Sequence, residues 1–248
     1  MGDVPETRLP GGFVSDPVRV SDTVRRTPSK NAGFVHGLLN LFAQRGWTGA
    51  PRFLGMDSAG REVLGYLDGH VAWQPRQPPE VFSEESLAAV ARLVRQFHDL
   101  TAGSRLAGGE QVVCHNDLSP KNTVYRDLGS GLRPVAFLDW DLAAPGPRIH
   151  DVAHMCWQYL DLGPSIARPA DAVRGLRLLC DAYGPVDRGD LIETIMWWQD
   201  RCWRGIEAAA SVDEPAGVAL RAAGVVDGVR AAWAWVAEHR RELADGIG

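Results

Sequence analysis

The sequence lacks any closely spaced cysteine pair. Its four cysteines, Cys114, Cys156, Cys180 and Cys202, stand far apart, and without a C-x-x-C unit a structural zinc site is not expected. Isolated thiols suit a reduced, cytoplasmic protein. Residues Met1–Pro10 hold acids and prolines but no apolar core, so no secretory signal is expected. No stretch of 18 apolar residues occurs, which argues against a membrane span. A basic excess is also missing: the net charge is −5, unlike the footprint of a nucleic-acid binder. Internal repeats and low-complexity tracts are absent.

What remains is an ordinary globular composition. The 248 residues are 45% hydrophobic and 23% charged, enough for one large domain or two lobes with a core between them. The chain starts strand-rich. Pro17–Val20 and Thr23–Arg26 read as a hairpin about the Ser21-Asp22 turn. Val35, Leu38, Leu39 and Phe42 then recur at helical spacing. They predict a helix from Gly33 to Arg45, capped by Ser29 or Asn31 and stopped by Gly46. A second hairpin is expected at 52–55 and 61–67. Pro75, Pro78 and Pro79 mark a boundary, and Ser83 opens a helix running to Leu100. Short strands are expected at Gln111–Cys114 and Pro134–Leu138. From Asp151 onward the pattern is helical, with breaks at Pro164, Pro169, Gly184-Pro185 and Pro215. These elements predict an α+β chain: a small β-rich lobe, residues 1–69, joined to a larger helical lobe, residues 70–248.

Two segments carry chemistry. The first is His115-Asn116-Asp117-Leu118-Ser119-Pro120-Lys121-Asn122; the second is Leu138-Asp139-Trp140-Asp141. Each follows a short apolar strand, a common place for catalytic groups. Phosphoryl transfer needs a carboxylate beside the attacking hydroxyl and oxygen ligands for Mg²⁺. An H-x-D-x-x-x-x-N loop followed by a strand-end Asp offers both.

On these two motifs the chain resembles the aminoglycoside phosphotransferase family, relatives of the protein kinases that phosphorylate small molecules. The resemblance implies a bilobal protein-kinase-like fold, ATP or GTP with Mg²⁺ as cofactors, and a small hydroxylated acceptor such as an antibiotic. It implies Asp117 as catalytic base, His115 as organiser of its loop, and Asn122 and Asp139 as metal ligands. Asp151 would brace the loop. The Gly11-Gly12 turn would cover the phosphates, and Tyr66 and Leu67 would form the hinge that meets the base. The family's phosphate-gripping Lys is missing from the strand Thr23–Arg26. Alternation lets only one of Arg25 and Arg26 enter the cleft; Arg26 is favoured, with Lys30 as the fallback. The helix partner Glu is missing too: Gly33–Arg45 holds His36 and no acid.

Other readings stand beside this one. Asp141 is either a metal contact or a cap. His150 and His154, four apart, raise a zinc hydrolase, although Pro147 puts His150 ahead of the helix in this reading. Trp197, Trp198 and Trp203, with Asp200 and Glu207, are either core packing or an aromatic and acidic wall for a cationic or sugar-like acceptor. A kinase-like nucleotide-binding or immunity protein without catalysis is the alternative function. No nucleic-acid or membrane partner is expected, and the chain is read as a monomer or homodimer.

Overall fold

The computed structural model describes residues 5–9, 17–74, 76–129 and 131–248. Gly11 and Gly12 lie outside the described residues.

Five strands open the chain: β1 (Thr7–Arg8), β2 (Val18–Val20), β3 (Thr23–Arg26), β4 (Phe53–Met56) and β5 (Glu62–Gly65). They form one antiparallel sheet in the order β1-β2-β3-β5-β4. The β3–β5 ladder sets Val24 opposite Leu64 and Arg26 opposite Glu62. Cross-strand partners share a face of the sheet, so Arg26 and Glu62 meet. Arg25 points the other way, to Asp57 at 3.6 Å.

Helix α1 (Ala32–Gln44) lies between β3 and β4. Its apolar positions Val35, Leu38, Leu39 and Phe42 are all buried, and Gly46 follows its end with φ +69°, as a left-handed helix stop requires. Asn31 occupies the N-cap position, but its side chain makes no capping hydrogen bond. The Asn31 amide instead donates to the Ala143 carbonyl at 2.9 Å. Phe42 meets Phe97 and Trp140 at centroid distances of 6.4 and 5.1 Å, so one apolar core runs through both parts of the chain.

After the proline-rich segment come β6 (His70–Val71) and α2 (Glu84–Thr101), whose N-cap Ser83 accepts the Ser86 N–H at 3.2 Å. Then follow β7 (Val112–Cys114), β8 (Thr123–Asp127), β9 (Leu132–Phe137) and β10 (Ala144–Gly146). They make a three-stranded sheet, β6-β8-β9, and a two-stranded ladder, β10-β7. Gly69, at φ +148°, enters this part: a Cβ there would sit 2.6 Å from the Tyr125 carbonyl oxygen. The rest is helical: α3 (Arg148–Tyr159), α4 (Pro169–Tyr183), α5 (Leu191–Ser211), α6 (Pro215–Ala222) and α7 (Val225–Ile247). Because α3 begins at Arg148, His150 lies inside it, contrary to the placement expected from Pro147.

Candidate active site

The loop between β7 and β8 carries Asp117. It is anchored from below by Asp151 on α3, which is fully buried. The Asp151 carboxylate accepts the backbone N–H groups of His115 at 2.7 Å and Asn116 at 2.9 Å. His98 of α2 adds its Nε2 at 3.0 Å, and the other nitrogen of its ring meets the Tyr183 hydroxyl at 2.8 Å. Burial pushes the Asp151 carboxyl up, yet His98 and the loop amide hold it below the ordinary range. Burial keeps His98 below its own ordinary range. The pair is therefore a neutral imidazole on an ionised carboxylate. His98 was missed in the sequence because it sits in an unbroken helical pattern.

This anchor lets Asn116 adopt φ +64°, a left-handed conformation that a non-glycine residue holds only when its surroundings fix it. The turn delivers Asp117 half-buried at the mouth of the loop. Asn122 sits on the short 3-10 turn Pro120–Asn122. Its amide donates to both the Asp117 carboxylate at 2.7 Å and the Asp117 carbonyl at 2.9 Å. His115 is wholly buried, and its Nε2 lies 2.9 Å from the Leu138 carbonyl. It thus ties the Asp117 loop to the segment that carries Asp139. That segment turns at Asp139 itself, which has φ +58° and a side chain 48% exposed.

Arg26 crosses from the sheet to this segment. Its Nε pairs with the Glu62 carboxylate. Its terminal nitrogens hold Asp141 at 2.6 and 3.1 Å and approach Asp139 at 3.6 Å. Burial works against the Arg26 charge, but Asp141 and Glu62 more than offset it. Glu62 is 1% exposed and also meets His36 Nε2 of α1 at 2.7 Å; the His36 ring stacks on Phe53 with centroids 3.7 Å apart. The acid missing from the helix is thus supplied by β5. Glu62 shares the inward face of Leu64, and the β3–β5 register brings it to Arg26.

Beside these groups lies a cavity of about 360 Å³ between the large sheet and the β8–β9 region. It gathers Arg26, Tyr66, Leu67, Asn122 and Asp139, with Val24, Leu64, Leu138 and Trp140 as apolar walls. Lys30 is exposed and not part of the lining. The Asn122 and Asp139 side chains bring hard oxygen donors, the type Mg²⁺ takes. The Asn122 amide nitrogen is committed to Asp117, and among the described residues nothing hydrogen-bonds its Oδ1, which is left for a cation.

The remaining candidates lie elsewhere. Asp141 faces Arg26 and does not join the residues of α5. Trp198 is 8% exposed, and its indole N–H donates to the His150 carbonyl at 2.8 Å. Asp200 pairs with Arg204 at 2.8 Å and Glu207 with Arg230 at 3.0 Å. His154 Nδ1 donates to the Leu118 carbonyl at 3.0 Å, and the ring packs edge-on against Trp198. His150 stacks on Trp197. Neither histidine joins the one three-residue cluster with metal-ligand spacing among the described residues, His98, Cys114 and Asp151, and that cluster is already spent on holding the catalytic loop.

The trifolitoxin immunity protein of Rhizobium leguminosarum bv. trifolii is 28% identical over 265 residues, covering 96% of this chain and 97% of its own. A choline/ethanolamine kinase family protein from Mesorhizobium loti superposes with a TM-score of 0.65 at 19% identity, covering 98% of this chain and 92% of that one. The GDP complex of aminoglycoside 2'-phosphotransferase-IIIa gives 0.60 at 13% identity, covering 95% and 93%. The likeness to these two structures is one of fold, protein-kinase-like and α+β, as the two motifs had implied. The phosphotransferase enzyme family matches residues 51–188, a stretch that holds Glu62, the Asp117 loop, Asp139 and Asp151, and the chain belongs to that family.

Proposed function

We propose that the protein transfers the γ-phosphate of ATP or GTP to a hydroxyl of a small molecule, an aminoglycoside or other hydroxylated antibiotic or metabolite. One observation carries the reading: a single cavity brings Arg26, Tyr66, Leu67, Asn122 and Asp139 to the edge of the Asp117 loop. Residues 1–69 serve as the nucleotide lobe and 70–248 as the catalytic lobe. The base enters between Val24 and Leu138 and meets the backbone at Tyr66 and Leu67. Asn122 and Asp139 would hold Mg²⁺, which neutralises phosphate charge when bound. Arg26 faces the phosphates from β3, steadied by Glu62. The Asn122 amide fixes one oxygen of the Asp117 carboxylate, while the other has no hydrogen-bond partner among the described residues. That oxygen orients the acceptor hydroxyl and takes its proton, a contribution of about 10²–10⁴-fold. No described helix is long and apolar enough to cross a membrane.

A second reading, an immunity protein that binds nucleotide without turning it over, is favoured by the commitment of Arg26 to Asp141 and by the name of the Rhizobium relative. Nucleotide turnover with Mg²⁺ distinguishes the two. A panel of hydroxylated compounds is run with the protein and with Asp117→Asn. Stimulation by one compound, lost in the variant, supports the kinase. Nucleotide binding with no stimulated turnover supports the binder.

A further inference from the structure

Helix α5 packs on α3, the helix that carries Asp151. The acids of α5 are closed by arginines, Asp200 by Arg204 and Glu207 by Arg230. Two exposed cations of the same region, Arg201 and Lys121, pair with no carboxylate among the described residues. The Arg201 guanidinium rests over the Trp197 ring, 5.5 Å from its centroid. Trp197 in turn stacks on His150, with centroids 5.1 Å apart and planes within 24°. The next residue, Asp151, holds the His115 and Asn116 amides. The stack of Arg201, Trp197 and His150 therefore stands on the same turn that sets the catalytic loop. Lys121 belongs to that loop, next to Asn122.

Cys202 reports how close these pieces lie. Burial raises its thiol, Asp117 raises it further and Lys121 lowers it, so both loop charges reach α5 one residue from Arg201. Burial keeps His150 below its ordinary range, although Asp151 and the exposed Glu110 pull it upward. A neutral His150 does not repel Arg201.

We propose that the acceptor carries a carboxylate, which Arg201 and Lys121 hold while the acceptor hydroxyl faces Asp117. This rests on the kinase reading above and narrows it. A guanidinium fork matches a carboxylate through two parallel hydrogen bonds, and stacking on Trp197 fixes its plane. Two uncompensated cations disfavour a polycationic acceptor by like-charge repulsion. In the transfer, the acceptor oxygen bonds to the γ-phosphorus as the bond to the β-bridging oxygen breaks. The hydroxyl proton passes to Asp117 and the nucleoside diphosphate leaves.

The test uses the full chain and matched probes: hydroxy acids and seryl or threonyl peptides, each as free carboxylate and as amide, with aminoglycosides alongside. Mg·ATP binding is measured first by calorimetry. Binding of the probes to Asp117→Asn loaded with Mg·ADP, and their stimulation of wild-type turnover, are measured next. The expected result is preference for free carboxylates over their amides, and a KM or Kd for them raised about tenfold or more by Arg201→Glu with Mg·ATP binding unchanged. Carboxylates and amides treated alike, aminoglycosides preferred, or Arg201→Glu without effect would each overturn the proposal while leaving the kinase reading standing. Failure to bind Mg·ATP would instead remove the kinase reading and the acceptor proposal with it.

Discussion

Glu62 stands directly opposite Arg26 across the β3–β5 ladder, and its second carboxylate oxygen reaches His36 of α1 at 2.7 Å. One acid on a strand thereby joins Arg26 to the helix that has no acid of its own. The group is 1% exposed, so Glu62→Gln leaves Arg26 short of a partner. The expected loss is about 3 kcal/mol of stability, read by urea unfolding. Nucleotide KM should rise more than kcat falls, because Asp117 is untouched. An unchanged urea midpoint with unchanged KM would show that Arg26 does not depend on Glu62.

Asp117→Asn keeps the shape of the loop while removing the proton acceptor. Stimulated turnover should fall by about 10²–10⁴-fold. Nucleotide affinity, measured by calorimetry, should stay within about twofold.

Acid should weaken the fold before it touches the carboxylates. Burial holds His98 and His154 below the ordinary imidazole range. In the unfolded chain both take up protons below pH of about 6.5. The unfolded state then binds more protons than the folded one, so stability is intact above that pH and declines as pH falls below it. The slope is at most about 1.4 kcal/mol per pH unit for each histidine. Asp151, whose carboxyl is held low, adds a further loss only below about pH 4. Urea midpoints at pH 7.5, 6.5 and 5.5 measure the first slope, and His154→Gln should make it shallower.

Gly69→Ala tests the entry to the second sheet. A Cβ would meet the Tyr125 carbonyl oxygen at 2.6 Å and the backbone would have to keep φ +148°. The expected cost is about 1–3 kcal/mol, seen as a lower Tm. The same change at Gly33, where a Cβ meets nothing within 4 Å, is the control and should be neutral or mildly stabilising.

Much of this site could be read from residue order because it lies within short loops. The His115–Asn122 and Leu138–Asp141 segments each carry their chemistry at fixed local spacing. That only one of Arg25 and Arg26 enters the cleft followed from strand alternation. Glu62 did not, because a glutamate between Arg61 and Val63 reads as a solvent-facing strand residue until the β3–β5 register is known. His98 was invisible for the same reason: its partner Asp151 is 53 residues away. Strand β8 was overlooked although Thr123-Val124-Tyr125 favours a strand, since the segment follows directly on the catalytic loop. Asp200 and Glu207 looked like an open acidic wall because nothing in their spacing showed that Arg204 and Arg230 neutralise them.

Phe42 of α1 packs with Phe97 and Trp140, and Asn31 is tied to the Ala143 carbonyl. The helix therefore belongs mechanically to the half of the molecule that holds Asp117. Swinging it outward would tear open apolar contacts and strand polar groups. The consequence is cooperative: the two halves should melt as one unit in a single calorimetric transition. Any opening of the cleft is left to the strands above, with α1 serving as a fixed back wall.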